Sequence, residues 1–355
     1  MAGLSKTDLA VRLNVSMAAV AQWESGVKRP TAENVAALSR VLEVPMPLLL
    51  KPKPPELDRK GPLTFRAWNS ANTRRANRSA EKLAELVAEV YGWLERRIVL
   101  PAVVLPVLKA LGDMEEAARE CRRAWDLGDQ PIHKLGELLE SKGVILAGAA
   151  FHDRRYDAFS AVVDGRPFIF LGEDKGDRAR SRFDAAHELG HLLLHQGLDP
   201  LDLQKTEILN RVESEANAFA GAFLLPAETF GPEVADTTLD GFLQLKAKWG
   251  TSVQAMVVRA RTLDLITETH YRELFRQMGI KGWRRPRGEP LDELAPAMTR
   301  SLGRRSLELL SANKVIQVWE IPAALPVPLR VLSDIFQVNV SELNPSELNL
   351  ILKGV

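Results

Sequence analysis

The chain of 355 residues has a single cysteine, Cys121, so it can form no internal disulfide and no thiolate-rich metal site. Any metal must rest on histidine and carboxylate. That cysteine usage fits a reducing compartment, and the start "MAGLSKTDLA" lacks the basic and apolar blocks of a secretory signal, which together point to the cytoplasm. Long apolar runs are also missing. The longest, "IVLPAVVLPVL" at 98–108, is broken by Pro101 and Pro106 and falls short of the roughly 18 residues needed to span a bilayer, so no membrane partner is expected. Excess charge of one sign is absent too: 47 Lys and Arg against 46 Asp and Glu leave a net charge of +1. Nucleic-acid contact, if made, must come from a local patch. Histidine is scarce, with six in the chain, yet three of them fall within 187–195.

The length is enough for two or three domains. Residues 4–50 read as short helices with sharp punctuation. Ser5 starts "LSKTDLAVRLN", Ser16 starts "VSMAAVAQWESG", which stops at Gly26, and Thr31 starts "TAENVAALSRVLE", with Asn34 where a capping box prefers Glu. Two short helices joined by a tight turn are the form of a major-groove reader. The stretch, and its "WESG…RP" ending above all, resembles the Cro/phage-repressor type of helix-turn-helix domain, the XRE family. The resemblance implies DNA as a partner, with Met17, Ala18 and Gln22 of the second helix facing base edges. Gln22 would suit adenine, and Met17 and Ala18 the thymine methyl. Lys6, Lys28 and Arg29 would then serve phosphates. It also implies a capacity to form homodimers, and one more helix ahead of "GLSKTDLA", so the first helix of the domain is expected to be missing.

"KPKPPELDRKGP" at 51–62 is a proline-rich, charged linker, and 73–128 is helical in pattern, with Arg74, Arg75, Arg78, Arg96 and Arg97 on a solvated face. From about Pro131 the texture changes. "GVILAGAA" reads as a strand, and "AFSAVVDGRPFIFLG" as two strands around Asp164-Gly165, a dipeptide that favours a type I′ hairpin. Helices follow at 211–225, 238–249 and 252–264. Residues 289–355 are helical without a chemical signature.

"RFDAAHELGHLLLH" carries the metal chemistry. His187 and His191 are four apart and share a helix face, so both can hold one ion, while Glu188 lies close enough to the same edge to act on a water there. A third ligand is sought among Glu213 and Glu215 of "RVESEANAFAGAFLLP". Its stripe Val212, Ala216, Phe219, Ala220 and Phe223 marks an amphipathic helix and leaves the two glutamates on opposite flanks. Asn217, four residues past Glu213, can hydrogen-bond a ligating histidine, which favours Glu213. "RFDAAHELGHLLLH" followed by "VESEANAFAGAFLLP" resembles the ImmA/IrrE family of zinc metallopeptidases. The resemblance implies Zn²⁺ on His187, His191 and Glu213, with Glu188 as general base and His195 behind the ligands. It also implies a strand within 166–171 that pairs with an extended substrate, and Tyr156 and Arg211 are the nearby candidates to stabilise an oxyanion.

The expected fold is α+β and predominantly helical. It consists of an all-α helix-turn-helix domain at 1–50, a linker and helical connector at 51–130, a zincin-like metallopeptidase domain with a small antiparallel sheet at 131–270, and a helical C-terminal region at 271–355. The expected function is cleavage of a transcription repressor to control stress, prophage or mobile-element genes. The alternative is a DNA-binding regulator or antitoxin whose peptidase fold serves as a sensor or partner-binding module.

Overall fold

The computed structural model describes residues 4–51, 71–109, 112–149, 158–172, 177–199, 201–285 and 288–344, and the chain divides into two compact units. The first holds residues 1–57, 85–99 and 303–355. Its N-terminal part is built from α1 (Lys6–Leu13), α2 (Met17–Glu24), α3 (Ala32–Leu42) and α4 (Met46–Leu50). Ser5, Ser16 and Thr31 each accept a backbone N–H of the first turn, and Asp8 completes a capping box with Ser5. Ala10, Val20, Val35 and Leu38 form its small core. α5 (Ala71–Glu95) follows, and Glu89 near its end pairs with Lys51. The proline-rich linker falls largely on 52–70, outside the described residues, as do the side chains of Arg74, Arg75 and Arg78. Arg97 lays its guanidinium 3.9 Å from the centre of the Trp93 ring.

The continuous helical pattern expected over 73–128 is interrupted. Residues 99–108 carry no regular structure, because Pro101 and Pro106 lack the N–H a helix needs, and α6 (Met114–Ala124) starts afresh at its N-cap Asp113. The second unit, 58–84 and 100–302, continues through α7 (Leu135–Ser141) into β1 (Ile145–Ala149), β2 (Ala158–Val163) and β3 (Arg166–Gly172). Then come α8 (Arg178–Leu194), α9 (Thr206–Leu224), α10 (Ala227–Glu233), α11 (Leu239–Trp249), α12 (Val253–Thr262) and α13 (Glu268–Ile280).

β2 and β3 form the hairpin, closed by Asp164 and Gly165, whose φ angles of 50° and 78° are what a type I′ turn needs. The sheet is mixed rather than antiparallel, since β1 pairs parallel with β3 and the order is β1-β3-β2. β3 is therefore the central strand. Pro167 to Leu171 are all buried, a continuous apolar run of the kind found where both faces of a strand are covered. This corrects the expectation that 166–171 receives a substrate backbone, because both edges of β3 are already paired. Among the described residues the open edge near the histidine helix belongs to β2.

α8 and α9 pack against each other with Ala185, Ala186 and Leu189 on one side and Val212, Ala216, Phe219, Ala220 and Phe223 on the other, all fully buried. Two buried arginines finish α9: Arg122 donates to Phe223 O and Arg259 Nε to Leu225 O at 2.8 Å, so carbonyls at the helix end find donors. A third, Arg182 of α8, donates Nε to Gly250 O at 2.8 Å and also bonds Ile132 O and His133 O, which fastens α8 to the α11–α12 turn. Cys121 is fully buried, which pushes its thiol up to about 12 and keeps it uncharged.

The C-terminal region contains α14 (Leu302–Ala312), a 3-10 turn at Val318–Glu320, α15 (Ile321–Ala324), α16 (Leu329–Phe336) and α17 (Val340–Leu343). Its local frame repeats the N-terminal one. "LSRVLEVPMPLL" at 38–49 and "LSDIFQVNVSEL" at 332–343 each end a helix at a left-handed residue, Glu43 and Gln337, with φ of 53° and 52°. In both, a serine hydroxyl five residues back closes the turn: Ser39 Oγ donates to Val44 O and Ser333 Oγ to Val338 O, each at 2.6 Å. The first turns match as well. Asn14 and Lys314 are left-handed, and Val15 N and Val315 N bond Ala10 O and Leu310 O at 3.0 and 2.9 Å. Between these turns lie "VAQWE" and "IQVWE", so the sequence that reads as featureless helix has the punctuation of a shortened helix-turn-helix.

Candidate metal centre

His187 and His191 sit one helical turn apart on α8, 7% and 1% exposed, with their Nε2 atoms 2.9 Å from each other. Glu213 of α9 lies 3.6 Å from both Nε2 atoms, one carboxylate oxygen to each, and the three ligand atoms fall within 4.8 Å of one another. The approach of α9 depends on Gly190 between the histidines. A Cβ there would lie 3.1 Å from Phe219 Cδ1 and 3.4 Å from Ala216 Cα, so a larger residue would hold the helix bearing Glu213 away.

The hydrogen bonds behind the histidines set which nitrogen carries the proton. His187 Nδ1 lies 3.0 Å from Asn217 Oδ1, an acceptor, so Nδ1 holds the proton and Nε2 presents a lone pair. His191 Nδ1 lies 2.9 Å from His195 Nδ1, and His195 Nε2 lies 3.0 Å from Glu215 Oε2. Burial pushes His195 below the usual histidine value, so its ring is neutral, donates from Nε2 and accepts at Nδ1. His191 therefore also turns an Nε2 lone pair toward Glu213. Two lone pairs and a carboxylate converging within 4.8 Å of one another suit a divalent cation, and the two-histidine, one-glutamate donor set is one that zinc accepts. Glu215 stands apart from this cluster, on the outer side of His195.

Glu188 is 7% exposed and borders the same cavity. Its Oε2 accepts a 2.7 Å hydrogen bond from Ser160 Oγ on β2. Ser160 was not legible in the sequence, because a serine inside an apolar strand carries no motif. The cavity of about 470 Å³ runs from His187, Glu188, His191 and Glu213 along α9 to α12 and Trp283. At the start of α8, Asp177 caps the helix and abuts Asp292, which accepts from Arg178 N and Ala179 N. Burial, opposed by the Arg180 N–H and aided by Asp292, pushes Asp177 up to about 6. Arg211 Nε lies 3.7 Å from Glu215 and is largely exposed, and Tyr156 lies outside the described residues.

On α2, Met17, Ala18 and Gln22 are exposed together, and Lys28 and Arg29 are exposed on the loop that follows. Met17 Sδ takes a weak bond from Thr7 Oγ1 at 3.6 Å. Lys6 Nζ lies 2.6 Å from Glu24 in a half-exposed ion pair.

A small helical reader and a sheet-and-helix domain with a His/Glu cluster therefore lie in one chain. Residues 1–49 match the family model described as Helix-turn-helix, and residues 140–261 match Peptidase_M78, the IrrE N-terminal-like domain. The chain carries these two domains in that order, a DNA-binding type joined to a peptidase-family type. No curated protein matches it. Among the described residues no helix is long and apolar enough to cross a membrane.

Proposed function

We propose that the chain is a cytoplasmic zinc-dependent endopeptidase tethered to a DNA-binding domain, and that it cuts a transcription repressor. The observation that carries this reading is the convergence of His187 Nε2, His191 Nε2 and Glu213 beside the buried carboxylate of Glu188. Zinc held by these three residues would lower the pKa of a bound water toward neutrality and polarise a peptide carbonyl. Glu188 takes the proton of the attacking water and delivers it to the leaving amine. Ser160 keeps that carboxylate oriented through its hydroxyl. Asn217 fixes His187 in the tautomer that ligates.

The substrate backbone adds to the outer edge of β2. A two-residue hairpin is closed by a hydrogen-bonded pair, here Val163 and Arg166, so the backbone groups of Ala158, Ser160 and Val162 point away from β3. The same strand thus lines up the peptide and holds the base. The helix-turn-helix domain would bring the peptidase to promoters where a repressor is bound.

The test is Glu188→Gln. The variant should retain zinc while losing about 10²–10⁴-fold in cleavage rate against a repressor encoded beside this gene. Equal cleavage by the variant, or zinc-loaded wild-type protein that leaves the repressor intact while still regulating its promoter, would favour the sensor reading instead.

A further inference from the structure

We propose that Glu215 and His195 form a two-step relay that positions the ligand His191, so that Glu215 governs metal binding without touching the metal. The inference rests on the metal reading of the cluster above. Glu213 and Glu215 are two residues apart on α9 and so point about 160° apart around the helix, which leaves only one of them able to face the ion. The other is not idle. Glu215 Oε2 lies 3.0 Å from His195 Nε2, and His195 Nδ1 lies 2.9 Å from His191 Nδ1.

Each link dictates the next. A carboxylate only accepts, so His195 Nε2 carries the proton of the 3.0 Å link to Glu215, and in the 2.9 Å contact between the two Nδ1 atoms one ring donates and the other accepts. A ligating His191 presents a lone pair at Nε2 on the side of His187 and Glu213, so its proton sits on Nδ1 and is the one donated to His195. The backbone builds this chain in: His195 is the C-cap of α8, and its N–H bonds His191 O at 3.1 Å, which holds the two rings 5.1 Å apart between centres. Both rings are buried, 1% and 3% exposed, so water does not substitute for the links.

The two histidine ligands are thereby supported differently. His187 leans on the neutral amide of Asn217, one step away, whereas His191 leans through a second imidazole on a charged carboxylate. Charge reaching a ligand in this way raises its basicity and fixes its ring orientation. Glu215 is a positioning residue, and the spacing Glu-x-Glu-x-Asn over 213–217 divides into ligand, relay carboxylate and amide support.

The experiment measures affinity of the full chain for Zn²⁺ by chelator competition and the visible spectrum of its Co²⁺ form. Glu215→Ala should weaken zinc binding by about 10–100-fold and shift the cobalt spectrum. Glu215→Gln, whose amide oxygen still accepts from His195 but carries no charge, should recover only part of the affinity and leave the cobalt spectrum shifted, whereas a purely structural role for the side chain predicts full recovery of both. Adding His195→Gln to Glu215→Ala should cost little more than either change alone. Glu215 is partly exposed, so its variants should fold as the metal-free wild type does, checked by thermal denaturation. Wild-type affinity in Glu215→Ala, or additive losses from the two sites, overturns the relay alone. Wild-type protein that takes up no zinc overturns the metal reading and the relay together.

Discussion

Ser160 Oγ donates to Glu188 Oε2 at 2.7 Å, and this one bond ties the open edge strand β2 to the helix that carries the histidines. The hydroxyl holds the carboxylate in one orientation toward the cavity. Ser160→Ala should therefore lower kcat about 5-fold with zinc content unchanged, the equivalent of a hydrogen bond worth about 1 kcal/mol. Unchanged kcat with a lowered melting temperature would reduce Ser160 to a packing role.

Gly190 sets how closely α9 can approach α8. Gly190→Val places two methyl groups against Phe219 and Ala216, where even a single Cβ would sit at 3.1 Å from the ring. Overpacking of this kind costs about 1–3 kcal/mol and pushes Glu213 outward. The expected result is a folded protein with lower denaturation midpoint and zinc affinity reduced at least about 10-fold. Unchanged affinity would mean that Glu213 follows α8 despite the wider gap.

How much of this was legible in the sequence follows from where the signals lie. The helix caps Ser5, Ser16 and Thr31 and the turn at Asp164-Gly165 are local chemistry, readable residue by residue. The grouping of His187 with His191 is helical arithmetic, and Asn217 pointed from α9 to Glu213. What failed was non-local. The parallel pairing of β1 with β3 is not encoded in either strand alone, so the sheet order and the open edge on β2 were missed. Ser160 and the division of labour between His195 and Glu215 need two helices and a strand in register. The frame shared with the C-terminal region was hidden because little of it survives beyond its left-handed residues, serine turns, Trp-Glu pair and the proline that follows, while its middle is shortened.

Asp177 offers a pH test away from the ligands. Burial first, with Asp292 as neighbour, raises its folded value to about 6 from an ordinary 3.8. The protonated form is thus the one the fold favours, and its stabilisation is complete below about pH 4 and lost as pH rises through about 6. Asp177→Asn keeps an oxygen for the Arg180 N–H and an N–H for Asp292, without the charge. Urea denaturation of variant and wild type should coincide near pH 4 and separate in favour of the variant by pH 7. A constant difference across that range would show that Asp177 does not titrate there.

The last test concerns which copy of the helix-turn-helix frame meets DNA. Counting from the shared Trp-Glu pair, 23–24 and 319–320, Gln22 corresponds to Val318 and Lys28 and Arg29 to Ala324 and Leu325, while Pro30 meets Pro326. The C-terminal frame thus keeps the turns, but it has a 3-10 turn at Val318–Glu320 where the first has the eight-residue α2, and apolar groups stand in place of the amide and the loop cations, so these positions supply no phosphate contacts. Removing Lys28 should weaken binding to all sequences and lower the salt slope by about 1, because one phosphate contact is lost. Gln22→Ala should instead relax sequence preference at one base position, by about 1–3 kcal/mol of discrimination. Fluorescence anisotropy over a salt series, with a specific and a scrambled duplex, reads both. DNA affinity that persists in Lys28→Ala/Arg29→Ala with its salt slope intact would show that binding does not run through the N-terminal loop.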